Sequence, residues 1–150
     1  MITMEFDDFT LINTYCPSSG ERLKFMGKRV TFMRHLKEHM ACIKRPKLWI
    51  GDINATTSTA DVWDGQVNPL RSTFPACTEL EREELNGIIR DLTLTDLAKS
   101  HGVGPPGDPG FTYFANEADF RMNRGIRVDM ALACRALLGK VRGMQVCSRL

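Results

Sequence analysis

Asp52 and Asn54 stand two residues apart just past the apolar run Lys47-Leu48-Trp49-Ile50. In extended chain, residues i and i+2 point to the same side, so a carboxylate and an amide can share one site. A carboxylate there can hold a hard cation or move a proton, and an amide can fix a water or an anionic oxygen. The same residue types also make turns after strands, and the spacing alone leaves that reading open. Asp129 lies inside the apolar stretch 128–134. A carboxylate in such a run needs a partner: Arg127, Arg124, a histidine or a metal. A structural ion pair satisfies that need as well as a functional role does. Tyr113 and Ile126 flank a glycine-bearing loop and can wall a flat pocket, or simply pack in the core. His35-Leu36-Lys37-Glu38-His39 matches the inverted zinc-peptidase pattern, with two histidines one helical turn apart. Nine Lys or Arg against two Glu between residues 21 and 47 repel a dication, and both histidines fall off the apolar stripe. A motif without its context is not read as zinc. The basic helix face is left with two readings, a phosphate track or a solvated surface.

The elements that must position these groups follow from periodicity. Residues 2–15 alternate loosely around Asp7-Asp8, which predicts a hairpin, and the second run stops at the loop Cys16-Pro17-Ser18-Ser19-Gly20. Over residues 23–43, Met26, Val30, Met33, Leu36, Met40 and Ile43 recur at three and four, the spacing of an amphipathic helix. Pro46 ends it, and residues 47–50 read as a short buried strand. Residues 55–76 form a long polar loop. Thr78 with Glu81 makes a capping box ahead of the stripe Leu85, Ile88, Ile89 and Leu92. Residues 102–110, rich in glycine and proline, are loop. Residues 111–114, 127–134 and 141–146 read as strands. The order is mixed α/β. If residues 9–15 and 47–50 are parallel neighbours joined by a right-handed crossover, Tyr15 comes to Asp52 and Asn54 at the carboxyl edge, where open α/β sheets bind ligands.

The chain has 150 residues, 43% hydrophobic and 25% charged, which is one domain (residues 1–150) able to bury its own core. That excludes disordered tails, collagen-like repeats and disulfide mini-proteins. Twenty basic against 18 acidic residues give a net charge of +2, so a nucleic-acid partner must be met by a local patch. Five scattered cysteines with no C-x-x-C pair read as reduced thiols of an intracellular protein. No apolar run spans a bilayer, and the first residues form neither a signal nor a transit peptide.

Asn13-Thr14-Tyr15-Cys16-Pro17, Gly51-Asp52-Ile53-Asn54, Thr78-Glu79-Leu80-Glu81-Arg82, Leu94-Thr95-Asp96, Phe111-Thr112-Tyr113-Phe114 and Asn123-Arg124-Gly125-Ile126-Arg127-Val128-Asp129 occur in this order. Together they resemble the exonuclease III / apurinic-apyrimidinic (AP) endonuclease family of the endonuclease–exonuclease–phosphatase superfamily, as far as about Leu138. The Gly-Asp-x-Asn element belongs to the whole superfamily, whereas the last two elements point to its DNA-repair branch. The resemblance implies part of a four-layer α/β sandwich, two mixed β-sheets with helices outside. It implies hydrolysis of the DNA backbone 5′ to abasic sites with Mg2+ or Mn2+, by a monomer acting on double-stranded DNA in the nucleus or bacterial cytoplasm. By the same resemblance Tyr15 contacts the scissile phosphate, and Asp52 serves the leaving group directly or through metal-bound water. Asn54 holds the nucleophile or a phosphate oxygen, with Asp52 and Asn54 as metal ligands, and Asp129 orients a catalytic histidine. Tyr113, Asn123, Arg124, Ile126 and Arg127 are implied on the substrate side, with Tyr113 and Ile126 lining the pocket for the extruded baseless sugar. Such a nucleotide has no stack or pair to break, so its extrusion is cheap. A non-catalytic nucleic-acid-binding module and a small-phosphoester phosphatase are the alternatives.

The family pattern also contains an Asn strand and a Gln-Glu pair upstream and a Ser-Asp-His element at the end. Neither occurs here, the chain closes on Cys147-Ser148-Arg149-Leu150, and the amide and basic groups some relatives carry after Pro17 are replaced by Ser18 and Glu21. His35, His39 and His101 match no catalytic position. The expectation is a fragment, marginally stable and weak or inactive as a nuclease.

Overall fold

Thr10, Ile12 and Thr14 are buried, while Asn13 and Tyr15 between and beyond them are exposed, the alternation of a strand packed on one face. In the computed structural model, which describes residues 1–63, 74–103 and 109–147, this strand is β2 (Thr10–Tyr15). With β1 (Ile2–Glu5), β3 (Lys47–Asp52), β4 (Leu94–Asp96) and β5 (Asp129–Cys134) it builds one mixed sheet in the order β1-β2-β3-β5-β4. Only the β2–β3 pair is parallel. The resemblance implies two sheets; among the described residues the strands form one.

The parallel pair is joined by α1 (Met26–Cys42), which packs with α2 (Glu79–Asp91) on the sheet. Ile12, Trp49, Met130 and Leu132 from the strands meet Met33, Leu36, Met40, Leu85 and Ile88 from these helices in the main core. The expected stripe of α1 needs one correction. Val30 is exposed, and the residue that turns inward beside it is Arg29, fully buried. The opposite face is covered by α3 (Leu97–His101), α5 (Arg135–Leu138) and the chain around Val141 and Met144. The strand expected over 141–146 does not form. That stretch is irregular, tied by Val146 N–H to the Val103 carbonyl (3.2 Å). The strand expected over 111–114 contracts to a single bridge, Tyr113 to Ile126. α4 (Glu117–Arg121) and β4 are short elements without a legible period in the sequence. Parts of the two expected loops, 64–73 and 104–108, and the closing residues 148–150 lie outside the described residues. Among the described residues no helix is long and apolar enough to cross a membrane.

The capping box forms as read. Thr78 Oγ1 accepts from the Glu81 N–H (3.2 Å), and Glu81 Oε2 accepts from the Thr78 N–H (3.1 Å) and hydroxyl (2.7 Å). Both residues are buried, so water cannot replace the lost partners. Thr78→Ala is expected to lower the unfolding free energy by about 1–2 kcal/mol, seen as a lower urea midpoint at unchanged slope.

Candidate active site

The register of the sheet builds the site. Tyr15 lies opposite Asp52 across the parallel pair, and Asp52 lies opposite Asp129 across the β3–β5 pair. Directly paired residues share a face, so one row across three strands carries a phenol and two carboxylates. The row lies on the face opposite Ile12, Trp49 and Leu132. Trp49 locks the two parallel strands from behind, its indole N–H donating to Thr14 Oγ1 at 2.8 Å. Gly51 permits the approach: its φ is 122°, and a Cβ there would sit 2.0 Å from the Thr14 carbonyl oxygen.

β3 ends at Asp52, and the chain turns at Asn54 in the left-handed region (φ 50°). Asp52 and Asn54 therefore converge through a turn and not through an extended strand, a conformation asparagine tolerates because its short side chain bonds locally. The Asn54 N–H donates to Asp52 Oδ1 (2.8 Å), and Asn54 Nδ2 donates to Asp52 Oδ2 (3.0 Å) and to the Cys16 carbonyl (2.9 Å). Burial, followed by the charge of Asp129, lifts the Asp52 carboxyl above its ordinary range against the bonds from Asn54. Burial also pushes the neighbouring Cys16 thiol up to about 11, so this cysteine is a packed thiol and not a nucleophile.

Tyr15, Asp52, Asn54, Tyr113, Ile126 and Val128 line one cavity of about 720 Å3. Its far wall is the reciprocal bridge between Tyr113 and Ile126, both bonds 2.9 Å. Gly125 lets these segments touch, since a Cβ there would lie 2.7 Å from the Tyr113 carbonyl. Tyr113 is half-exposed and Ile126 is buried among Val62, Ala76, Cys77 and Val128, so Ile126 is at once core and wall.

The other residues named from sequence differ from expectation in their surroundings, and all but Asp129 lie away from this row. Asp129 is exposed at the start of β5 rather than buried in an apolar run, so it needs no compensating arginine. Arg127 is 3% exposed and turned away into bonds with Asp61 (2.8 Å) and Asp96 (2.7 Å), a structural ion triad. Asn123 is an exposed turn residue with φ 51°, its N–H bonded to the Phe120 carbonyl. Arg124 stacks over the Trp63 ring at 4.6 Å. His35 and His39 are exposed on α1, with His39 Nε2 at 3.3 Å from Thr3 Oγ1.

Sequence reasoning missed Thr112 and Arg29. Thr112 Oγ1 accepts from the N–H groups of Val128 and Asp129 (3.1 Å each) and so sets the entry of β5. Arg29 carried a signal: it continues the spacing of Met33, Leu36 and Met40 backwards as a charge on the inward stripe.

The donor set suits a hard divalent cation. It consists of oxygens: the carboxylates of Asp52 and Asp129, and the Asn54 amide oxygen left over once both amide protons are spent on Cys16 and Asp52. No group of three or more His, Cys, Asp or Glu gathers among the described residues. Magnesium accepts that, binding through one or two carboxylates with water and phosphate oxygens completing its shell.

No family model matches the chain. It is 24% identical over 156 residues to a DNA-(apurinic or apyrimidinic site) endonuclease of Arabidopsis thaliana, covering 94% of this chain and 43% of that protein. It is 26% identical over 146 residues to an exodeoxyribonuclease of Streptococcus pneumoniae, covering 94% and 50%. In sequence the chain is similar to members of the exonuclease III / AP endonuclease family. An AP endonuclease structure from Archaeoglobus fulgidus superposes with a TM-score of 0.73 at 18% identity, over 90% of this chain and 52% of that one, and so shares the exonuclease III / AP endonuclease fold. The chain spans half or less of the length of the curated relatives it matches.

Proposed function

We propose that this site hydrolyses the DNA backbone on the 5′ side of abasic nucleotides, as an intracellular monomer acting on double-stranded DNA with a divalent cation. The observation that carries the reading is the row Tyr15–Asp52–Asp129, of which Tyr15 and Asp52, together with Asn54, line a cavity walled by Tyr113 and Ile126. Tyr15 is 70% exposed, so its hydroxyl is free to donate to a phosphate oxygen. Asp52, on the cavity wall beside Tyr15, is placed to serve the leaving oxygen, directly or through a metal-bound water. Asn54, held through its N–H and its amide, presents its remaining oxygen at a fixed orientation. Asp52, Asn54 and Asp129 would hold Mg2+ or Mn2+, which supplies charge stabilisation at the phosphoryl oxygens. The Tyr113–Ile126 wall is flat and apolar on one side, matching a sugar that carries no base.

A synthetic duplex with one abasic site, incubated with the protein and magnesium, is expected to be cut 5′ to that site, while the intact duplex stays whole and the Asp52→Ala control is silent. No incision, together with salt-dependent duplex binding, would replace this reading by a non-catalytic one, which the exposed basic residues of α1 favour. Turnover of a small phosphoester in place of the duplex would make the site a phosphatase.

A further inference from the structure

We propose that Arg29 is the positioning residue of this site, clamping the two loops that carry Tyr15 and the Asp52–Asn54 pair from behind the sheet. The inference deepens the reading above and rests on it for its catalytic consequence. Arg29 is 0% exposed on the inward face of α1, a placement that is costly unless the charge is compensated. Its Nη1 donates to the Pro17 carbonyl (2.9 Å) and the Ile53 carbonyl (3.0 Å), one from the loop after β2 and one from the turn after β3. One nitrogen thus spans both loops.

The second of these bonds has the shorter path to the chemistry. The peptide group between Ile53 and Asn54 accepts from Arg29 at its oxygen and donates at its nitrogen to Asp52 Oδ1 (2.8 Å). Hydrogen bonds in series polarise one another, so a donor on the carbonyl strengthens the N–H that holds the carboxylate. The same contact sits on the left-handed turn at Asn54 and resists its relaxation. Asn54 Nδ2, bonded to the Cys16 carbonyl, ties the two loops a second time.

The acidic neighbours of Arg29 balance its charge without fixing its direction. Its Nε lies 3.6 Å from Glu81 Oε1 and 3.8 Å from Glu84 Oε2, beyond hydrogen-bond length, and Nε, Nη2 and those two oxygens make no hydrogen bond. A buried arginine serving only an ion pair would present its fork to a carboxylate. Here the bonds within hydrogen-bond length go to the site loops.

The test compares the wild-type chain with Arg29→Lys, which keeps the charge and loses the fork. In Arg29→Lys, hydrogen exchange at the Asn54 amide is expected to accelerate while that at Leu132 in β5 holds. Single-turnover cleavage of the abasic duplex is expected to slow by about 100-fold with duplex affinity unchanged, the signature of misplacement by a fraction of an ångström to an ångström. A folded Arg29→Lys protein with wild-type cleavage and wild-type Asn54 exchange overturns the proposal. If the variant does not fold, the wild-type chain still decides: NMR should show Arg29 Nη1 protons resolved and slow to exchange, and guanidinium signals averaged by rotation overturn the clamp. Faster Asn54 exchange in the variant of a wild-type chain that cuts no abasic DNA keeps the clamp and removes the nuclease reading alone.

Discussion

Arg127→Met is expected to cost about 3–5 kcal/mol of unfolding free energy, a large share of the roughly 5–15 kcal/mol that holds a domain. Arg127 is 3% exposed and faces Asp61 (3%) and Asp96 (8%). Its Nη2 donates to Asp61 Oδ1 at 2.8 Å and Asp96 Oδ2 at 2.7 Å, with further bonds from Nε and Nη1. Methionine fills similar space but takes the buried cation from two carboxylates, leaving Asp61 with Lys99 and the Thr57 hydroxyl and Asp96 with the Ala98 N–H. Neutralising them as well, in Arg127→Met/Asp61→Asn/Asp96→Asn, should recover part of the loss, because the penalty is the unpaired charge and not the missing contact. Urea unfolding of the three proteins measures both steps, and a single variant within about 1 kcal/mol of wild type would remove the triad from the account of stability. The triad also sets a pH dependence. Burial pushes the Asp61 carboxyl up, but Arg127, Thr57 and Lys99 outweigh it and hold the carboxyl below its ordinary value of 3.8. A folded-state value below the unfolded one stabilises fully above the unfolded value and is lost as pH falls through the folded one. The Arg127-dependent part of stability should therefore be flat at neutral pH and fade below about pH 4.

Asp52→Asn is expected to lower the rate of abasic-site cleavage by about 10²–10⁴-fold, the usual worth of a positioned proton-transfer group. The amide keeps the shape, and its oxygen can still accept from the Asn54 N–H. It removes the charge needed for a hard cation and the group that would serve the leaving oxygen, directly or through a bound water. Duplex affinity without metal should be equal or tighter, since a negative charge has left the neighbourhood of the phosphate. Loss of rate with retained affinity, in single-turnover and binding measurements, separates chemistry from docking. A variant that cleaves like wild type would take Asp52 out of the catalytic set.

The meeting of Tyr15 with Asp52 was legible in the sequence because it follows from topology alone. A strand, a helix of the right length and a second strand make a right-handed crossover, and both strands then end on one edge. The capping box at Thr78 was legible because its pattern is local. Asp129 departs from its expected burial because an apolar run on one side says nothing about a strand's first residue, which here lies exposed with its N–H bonded to the Thr112 hydroxyl. Arg127 was placed on the substrate side by the company it keeps in the motif, whereas its partners, Asp61 and Asp96, lie 66 and 31 residues away in the chain. No local signal could have announced them. Val30 and Arg29 exchanged places in the helix stripe for a related reason: hydropathy assigns the valine inward, and only the carbonyls at Pro17 and Ile53 make the arginine worth burying. The strand expected over 141–146 shows the opposite failure, since an apolar-polar alternation with no neighbouring strand to bond remains irregular.

The chain carries two indoles in contrasting surroundings. Trp49 is sealed in the core with its N–H bonded to Thr14, while Trp63 lies partly open under the Arg124 guanidinium, adjoining the Gly125–Ile126 wall. Indole emission shifts with the polarity of its surroundings, so the intrinsic fluorescence of this protein is a two-channel signal. The blue component reports whether the sheet is intact, and the red component reports whether the Arg124 stack beside the Gly125–Ile126 segment holds.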